Sequence, residues 1–349
     1  MNSLFNLSAL VRRNILSLAP YSSARSEFSG SASVWLDANE SPYNGPYNRY
    51  PDPLQKQVKE RLAAIKGVDA SRIFLGNGSD ECIDLVYRVF CEPGADNVVA
   101  IAPSYGMYEV CADINDVAYR KVVLGDDFAL DADALLAATD AHTKAIWICS
   151  PNNPTGNAFS IEAIALVANA FPGIVVVDEA YGEFSSQPSM RMALDAHPNL
   201  IVLQTFSKAW GSAGVRLGMA FASAEIVALF NKVKYPYNVN LLTQEFALRH
   251  LSQIAEVEQW VASILSERTR LTAALTALPQ VEHIFASDAN FVLVRVADAD
   301  AIYSHLQAMG IIVRNRNKVE KCAGCLRITV GTPEENDAVI NGIKCYDTK

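Results

Sequence analysis

The residues best suited to chemistry in this sequence cluster around one lysine. The segment Thr205–Gly218 reads TFSKAWGSAGVRLG and sets Lys208 between the hydroxyls of Thr205 and Ser207 and the guanidinium of Arg216. Hydroxyls, a cationic fork and glycines that admit close backbone approach suit a phosphate. A lysine amine placed among such groups is a candidate nucleophile for Schiff-base chemistry with a carbonyl. A second anion candidate is GNGSDE at 76–81, where Gly78, Ser79 and Asp80 present free N–H groups at the start of the helical run ECIDLVYRVF. The apolar run GIVVVDEAY delivers Asp178, with Tyr181 three residues on. A carboxylate at a buried strand end needs a cationic or donor partner, and a pyridinium nitrogen is one. In SPNNPTG at 150–156, Pro and Gly enforce a turn from which Asn153 projects an amide. Each fragment taken singly also reads as ordinary structure: a capped helix, an Asn-Gly turn, a solvated loop lysine. Their occurrence together, each just after an apolar strand, is what points to a site.

The elements that must position these groups follow from the pattern. Between residues 73 and 204, short β-branched runs (IFLG, NVVAIA, AIWICS, GIVVVDEA, NLIVLQTF) alternate with helical stretches (ECIDLVYRVF, MYEVCADI, IEAIALVANAF). Continuous apolar strands separated by helices imply a buried, mostly parallel sheet flanked by helices, the α/β class. Ligands bind such sheets beyond the carboxyl ends of the strands. After about residue 245 the pattern changes to one long helical stretch, Gln244–Leu278, then strand FVLVRV, helix AIYSHLQAMG, strands IIVRN and CLRITVG, and helix EENDAVINGI. The expected division is a large α/β domain at 46–245, a small α+β domain at 246–349, and an N-terminal arm at 1–45 that packs on the small domain or a partner subunit.

A chain of 349 residues with half its residues hydrophobic has ample material for such cores. A net charge of −9 argues against affinity for a phosphate backbone, so no nucleic-acid partner is expected. No run approaches the eighteen apolar residues of a membrane span. Seven scattered cysteines, an odd number, suit a reducing cytoplasm. Cys322 and Cys325 form the one CxxC, without a second pair to complete a zinc site, and the five histidines show no metal spacing. No metal is expected. The first 25 residues carry Arg and Ser without an acid, the composition of a transit peptide, but are read here as a lid segment.

The motifs NPTG, DxxY and SKxxGxAGxRxG, in this order, resemble the fold-type I pyridoxal-phosphate-dependent aminotransferases over essentially the whole chain. APYSSAR at 19–25, WLDANE at 35–40, NRYPDP at 48–53, FCEPG at 90–94, PSYGMY at 103–108, VRNRNK at 313–318 and CLRITVGT at 325–332 narrow the resemblance to the histidinol-phosphate branch of that family. The resemblance implies that Lys208 carries pyridoxal 5′-phosphate and moves the proton. It gives Asp178 to the ring nitrogen, Tyr181 and Asn153 to the ring oxygen, and Tyr105 to the ring face. The cofactor phosphate falls to Gly78, Ser79, Asp80, Thr205, Ser207 and Arg216, with Tyr50 donated by the neighbouring subunit of a homodimer with shared active sites. Arg314 and Arg327 are implied to bind the substrate phosphate, with Tyr21, Asn39, Glu40 and Asn153 lining the substrate. The implied reaction is reversible amino transfer between L-histidinol phosphate and 2-oxoglutarate, yielding imidazole acetol phosphate and glutamate, in cytoplasmic histidine biosynthesis.

Two other outcomes stay open at this stage: a related pyridoxal-phosphate enzyme acting on aromatic amino acids or decarboxylating an amino-acid phosphate, and a catalytically silent regulatory module on the same frame. The second lacks the added basic segment a DNA-binding regulator carries. A nucleotide-binding reading is disfavoured because GNGSDE lacks the GxGxxG spacing and no GxxxxGK[ST] occurs.

Overall fold

The backbone is built on one seven-stranded sheet and one four-stranded sheet. A computed structural model describes residues 5–22, 27, 28, 30, 32–125 and 127–346. In chain order the strands of the large sheet are β1 (Ile73–Asn77), β2 (Asn97–Ala102), β3 (Ala118–Val123), β4 (Thr143–Cys149), β5 (Ile174–Asp178), β6 (Leu200–Thr205) and β7 (Leu217–Phe221). Their spatial order is β1-β7-β6-β5-β4-β2-β3, parallel from β6 through β3 and antiparallel only where β7 joins β6 and β1. This is the expected mostly parallel α/β sheet.

Strands β2, β5 and β6 are buried at every position because helices cover both faces. One face packs Val99, Ile101, Ile146, Ile148, Val175 and Val177. The other packs Val98, Trp147 and Val176 against Ile83, Val86, Tyr87 and Phe90 of the helix Ser79–Phe90. Those four positions recur at helical spacing, so the helix lays one apolar stripe along the sheet. In the small sheet, β8 (Val281–Ile284), β9 (Phe291–Val296), β10 (Arg314–Asn315) and β11 (Cys325–Thr329) run in the order β10-β11-β9-β8, all antiparallel. Leu271, Leu275, Ile302, Val339 and Ile343 of three helices pack on Val292, Val294 and Leu326. The last helix, Pro333–Lys344, opens on a capping box between Thr332 and Glu335. Among the described residues, no helix is long and apolar enough to cross a membrane.

Three differences from the sequence reading have physical causes. Strand β3 is half exposed at the sheet edge, and β7 starts at the end of the glycine-rich segment and carries Gly218, so neither shows a continuous apolar run. The helical stretch after residue 245 is two helices, Leu241–His250 and Ile254–Thr276, broken where the His250 ring bonds Gln253 and the Trp210 carbonyl. The N-terminal arm packs on the large sheet's helices over residues 5–18, not on the small sheet: Val11 and Ile15 join the cluster of Val89 and Phe90, and Arg12 bonds Val89 and Glu92. Residues 23–25 of the APYSSAR segment lie outside the described residues.

Gly218 ties this fold to the site. It pairs with Gly76 of β1 and Thr205 of β6, and a Cβ there would overlap the backbone of Gly78 and Ser79 where the helix begins. Gly218→Ala is expected to destabilise the protein by about 1–3 kcal/mol, read as a lowered urea midpoint at unchanged slope.

Candidate active site

The carboxyl ends of β4, β5 and β6 lie side by side, and the chemical groups sit just beyond them. Parallel register sets Cys149 beside Asp178 and Asp178 beside Leu203, and the Ser150 N–H donates to the Asp178 carbonyl at 2.9 Å. Asp178 is 2% exposed; its carboxylate accepts from the Tyr108 hydroxyl at 2.7 Å and the Ala180 N–H at 3.0 Å. Burial outweighs those two donors and raises the Asp178 pKa from its ordinary value. Among the described residues, no cation lies within ion-pair distance of it.

Lys208 follows β6 and sets its ammonium 5.4 Å from the centre of the Tyr181 ring. Burial first, then the Arg327 charge, lower its pKa, against the opposing pull of Asp178 and Asp80. Tyr181 is buried edge-on to Phe291, and burial raises its pKa. The Asn153 amide donates to the Tyr181 hydroxyl at 3.4 Å and accepts from Arg327. Arg327, on β11, thereby brings the small sheet to the mouth of the large one.

The anion cradle lies on the other side. Gly78 takes φ +73°, its N–H donates to the Arg216 carbonyl at 2.8 Å, and a Cβ there would fall 2.5 Å from Arg216 Nη2. Ser79 begins the twelve-residue helix behind it. Arg216 reaches Ser207 Oγ and Asp80 at 3.4 Å each, and Thr205 and Ser207 share a hydroxyl bond at 3.0 Å. The Asp80 carboxylate also accepts from the Tyr105 hydroxyl at 3.1 Å. Asp80 therefore orients Arg216 and Tyr105, and only its backbone N–H suits an anion.

The structure thus brings together Lys208, Asp178, Tyr181, Asn153, Tyr105, Thr205, Ser207, Arg216, Arg327 and the turn 78–80. Asn39, Glu40 and Tyr50 line a separate open cleft with Tyr47, Arg49 and Leu242. Glu40 there accepts from Arg49 at 2.8 Å and from the Tyr50 N–H at 2.6 Å, while the Tyr50 ring stacks on Tyr237 at 4.4 Å. Tyr21 is 70% exposed and makes no hydrogen bond or ring contact among the described residues. Arg314 is exposed, opposite Arg327 in the β10–β11 register. Trp210 points away from the site: it packs on Phe206 and His250 and donates to Glu183 at 3.2 Å. Among the described residues there is no metal-binding cluster, and the thiols of Cys322 and Cys325 are free and buried.

Two residues escaped the sequence reading. Tyr108, the donor to Asp178, lies one helical turn beyond Tyr105 in PSYGMY and stacks on Trp147 at 4.8 Å. Arg316 is half buried within Coulomb reach of Tyr181 and Arg327. Its signal was available: in RNR at 314–316, alternation puts both arginines on one face.

A lysine amine lies between a buried carboxylate lacking a cation and a cradle of N–H groups, hydroxyls and a guanidinium. Those donors fit a phosphorylated, protonatable heteroaromatic aldehyde of the kind the sequence resemblance implies. The chain belongs to the class I and II aminotransferase family, whose model matches residues 23–343. It is 60% identical to the histidinol-phosphate aminotransferase of Parabacteroides distasonis, over 97% of this chain and 98% of that protein. It is 58% identical to the enzyme of the same name from Bacteroides fragilis, over 97% and 99%. The crystal structure of histidinol-phosphate aminotransferase from Sinorhizobium meliloti in complex with pyridoxal 5′-phosphate superimposes with a TM-score of 0.78 at 25% identity, covering 88% of each chain.

A raised pKa at Asp178 has a defined consequence for the cofactor-free protein. The unfolded carboxyl ionises near the usual value of about 3.9, whereas the folded one resists, so its contribution to stability is lost as pH rises from there toward the folded pKa. Asp178→Asn is expected to melt higher than the parent without cofactor, by a margin that widens with pH above about 4. Thermal melts across pH 4–8 check this, and a margin independent of pH would contradict it.

Proposed function

We propose that this protein transfers an amino group between L-histidinol phosphate and 2-oxoglutarate, giving imidazole acetol phosphate and glutamate in histidine biosynthesis, with pyridoxal 5′-phosphate as cofactor. The observation that carries the reading is Lys208 placed between the buried Asp178 carboxylate and Arg327, a half-buried cation with no carboxylate partner among the described residues. One end of that arrangement suits the cofactor, and the other suits an anionic substrate.

When bound, the cofactor supplies an aldehyde carbon for amine exchange and a protonated ring that draws electron density from the reacting carbon. Asp178 would hold the ring nitrogen in its protonated form, with Tyr108 fixing the carboxylate's orientation. Asn153 and Tyr181 would hold the ring oxygen, and Tyr105 would cover the ring face. Ser79 and Asp80, through their backbone N–H groups, and Thr205, Ser207 and Arg216 would hold the phosphate; the Gly78 N–H, expected from the sequence to be free, is bound to the Arg216 carbonyl, so Gly78 would contribute only room for close approach. Lys208 Nζ would carry the cofactor covalently until the incoming amine displaces it. The freed Nζ would accept the proton from the substrate carbon bearing the amine and hold it within the site. Burial and the Arg327 charge favour its neutral amine, the form that accepts a proton. Arg327 would bind the substrate's anionic end through its planar fork. One pocket serving two substrates in turn makes the kinetics ping-pong.

The assembly we propose is a homodimer in the cytoplasm, divided at 46–245 and 246–349, with neither nucleic acid nor membrane as partner. Supporting the dimer, Tyr50, Asn39 and Glu40 lie in a cleft apart from Lys208, and Val34, Leu36, Tyr43, Tyr47 and Leu242 expose apolar surface in the same segments. In that assembly Tyr50 would reach the cofactor phosphate of the other subunit.

Lys208→Ala is expected to lower turnover by at least about 10²-fold while cofactor stays bound noncovalently. The parent's visible absorbance should convert on a single addition of L-histidinol phosphate and return with 2-oxoglutarate. Full turnover by the variant would overturn the role of Lys208. A stable band with histidinol phosphate that converts with an aromatic amino acid would overturn the substrate.

A further inference from the structure

The geometry points to Arg316 as a specificity-determining residue: with Arg327 and Arg314 it forms a three-guanidinium pocket matched to a phosphate dianion. This inference rests on the substrate reading above.

The three arginines come together for a structural reason. Arg314 and Arg327 are directly opposite in the antiparallel β10–β11 pair, and Arg316, two residues on, falls on the same face. The loop carrying Arg316 is fastened from outside the pocket. The Arg316 N–H donates to the Cys325 carbonyl at 2.8 Å, and the amides of Asn315 and Asn317 grip the two oxygens of Asp300 at 2.6 and 2.9 Å. The side chain between those asparagines is thus held toward Tyr181 and Arg327, at the substrate end of the site.

What the guanidiniums lack is a counter-charge. Among the described residues, the Nε atoms of Arg316 and Arg327 are buried without a hydrogen-bond partner. Among the described residues, no carboxylate pairs with Arg314, Arg316 or Arg327; Arg327 bonds the neutral Asn153 amide, and Arg316 donates no side-chain hydrogen bond. Burial together with the Arg327 and Arg314 charges pushes the Arg316 pKa down to about 10. A half-buried cation crowded by like charges is costly until an anion enters. One arginine fork and an amide satisfy a carboxylate, which carries a single charge. A phosphate monoester, with a second pKa near about 6, carries close to two charges at neutral pH and three acceptor oxygens. A third guanidinium fits the dianion.

The test compares cofactor-loaded parent, Arg316→Gln and Arg316→Lys. For Arg316→Gln, KM for L-histidinol phosphate should rise about ten- to hundredfold, with kcat and the KM for 2-oxoglutarate within about threefold. Calorimetric titration with inorganic phosphate, which needs no turnover, should show a comparable loss of affinity, partly recovered by Arg316→Lys. Equal losses for histidinol phosphate and 2-oxoglutarate, or unchanged phosphate affinity in Arg316→Gln, would overturn the assignment. Should the parent fail to turn over histidinol phosphate while Arg316→Gln still weakens phosphate binding, the substrate reading falls and the dianion pocket stands.

Discussion

Keeping the Asp178 carboxyl ionised at 2% exposure costs on the order of several kcal/mol unless positive charge faces it. Much of the architecture follows from that one demand. The carboxylate can be so deeply buried because β5 runs between β4 and β6 with both faces covered, and parallel pairing brings the ends of all three strands to one edge. Tyr108 and the Ala180 N–H satisfy the oxygens but supply no charge. The fold is thus left with a deficit that a protonated ring nitrogen would remove, and cofactor binding would then be coupled to the stability of the central sheet.

The opposite deficit stands at the other end of the site. Among the described residues, Arg327 and Arg316 are cations without counter-ions; the field of Arg327 acts on Lys208, and both act on Tyr181. Lys208 lies between a region short of positive charge and one short of negative charge. This placement explains why its amine is pulled in both directions, with burial and Arg327 prevailing over Asp178 and Asp80. An anionic substrate would neutralise Arg327 and weaken that pull. Substrate charge and the basicity of the Lys208 amine would thereby be linked.

How much of this was legible in the sequence depends on where each residue gets its partners. Lys208, Asp178, Asn153 and the turn at Gly78 were readable because they follow apolar strands directly, and the strand itself positions them. Asp80 was readable as part of a helix start, but its bonds to Arg216 and Tyr105, 136 and 25 residues away, are tertiary. Tyr108 was hidden inside an ordinary amphipathic helix, where a tyrosine looks like core. The strand β7 was masked by the glycines that make the cradle possible: Gly218 must lack a side chain to let Gly78 and Ser79 approach, and that lowers its strand signal. The N-terminal arm misled because a short apolar stripe says that it packs, not on what.

The two sheets meet where the chemistry needs them fixed. Asn153 touches the Tyr181 hydroxyl on the large-sheet side and Arg327 on the small-sheet side. The turn that carries it is bonded across the same boundary: the Asp288 N–H donates to the Gly156 carbonyl at 2.8 Å, and the Ala158 N–H donates to the Asp288 carboxylate at 2.9 Å. A Cβ at Gly156 would fall 2.8 Å from Ser287 Oγ, so that contact depends on a glycine with φ +91°. Any rotation of the small sheet against the large one would have to break these bonds, because the Asn153 turn follows β4 of the large sheet. An amide bonded to both sheets would tie the position of the substrate's anionic end to that of the ring oxygen, so that the cofactor answering one charge deficit and the substrate answering the other would be held in register.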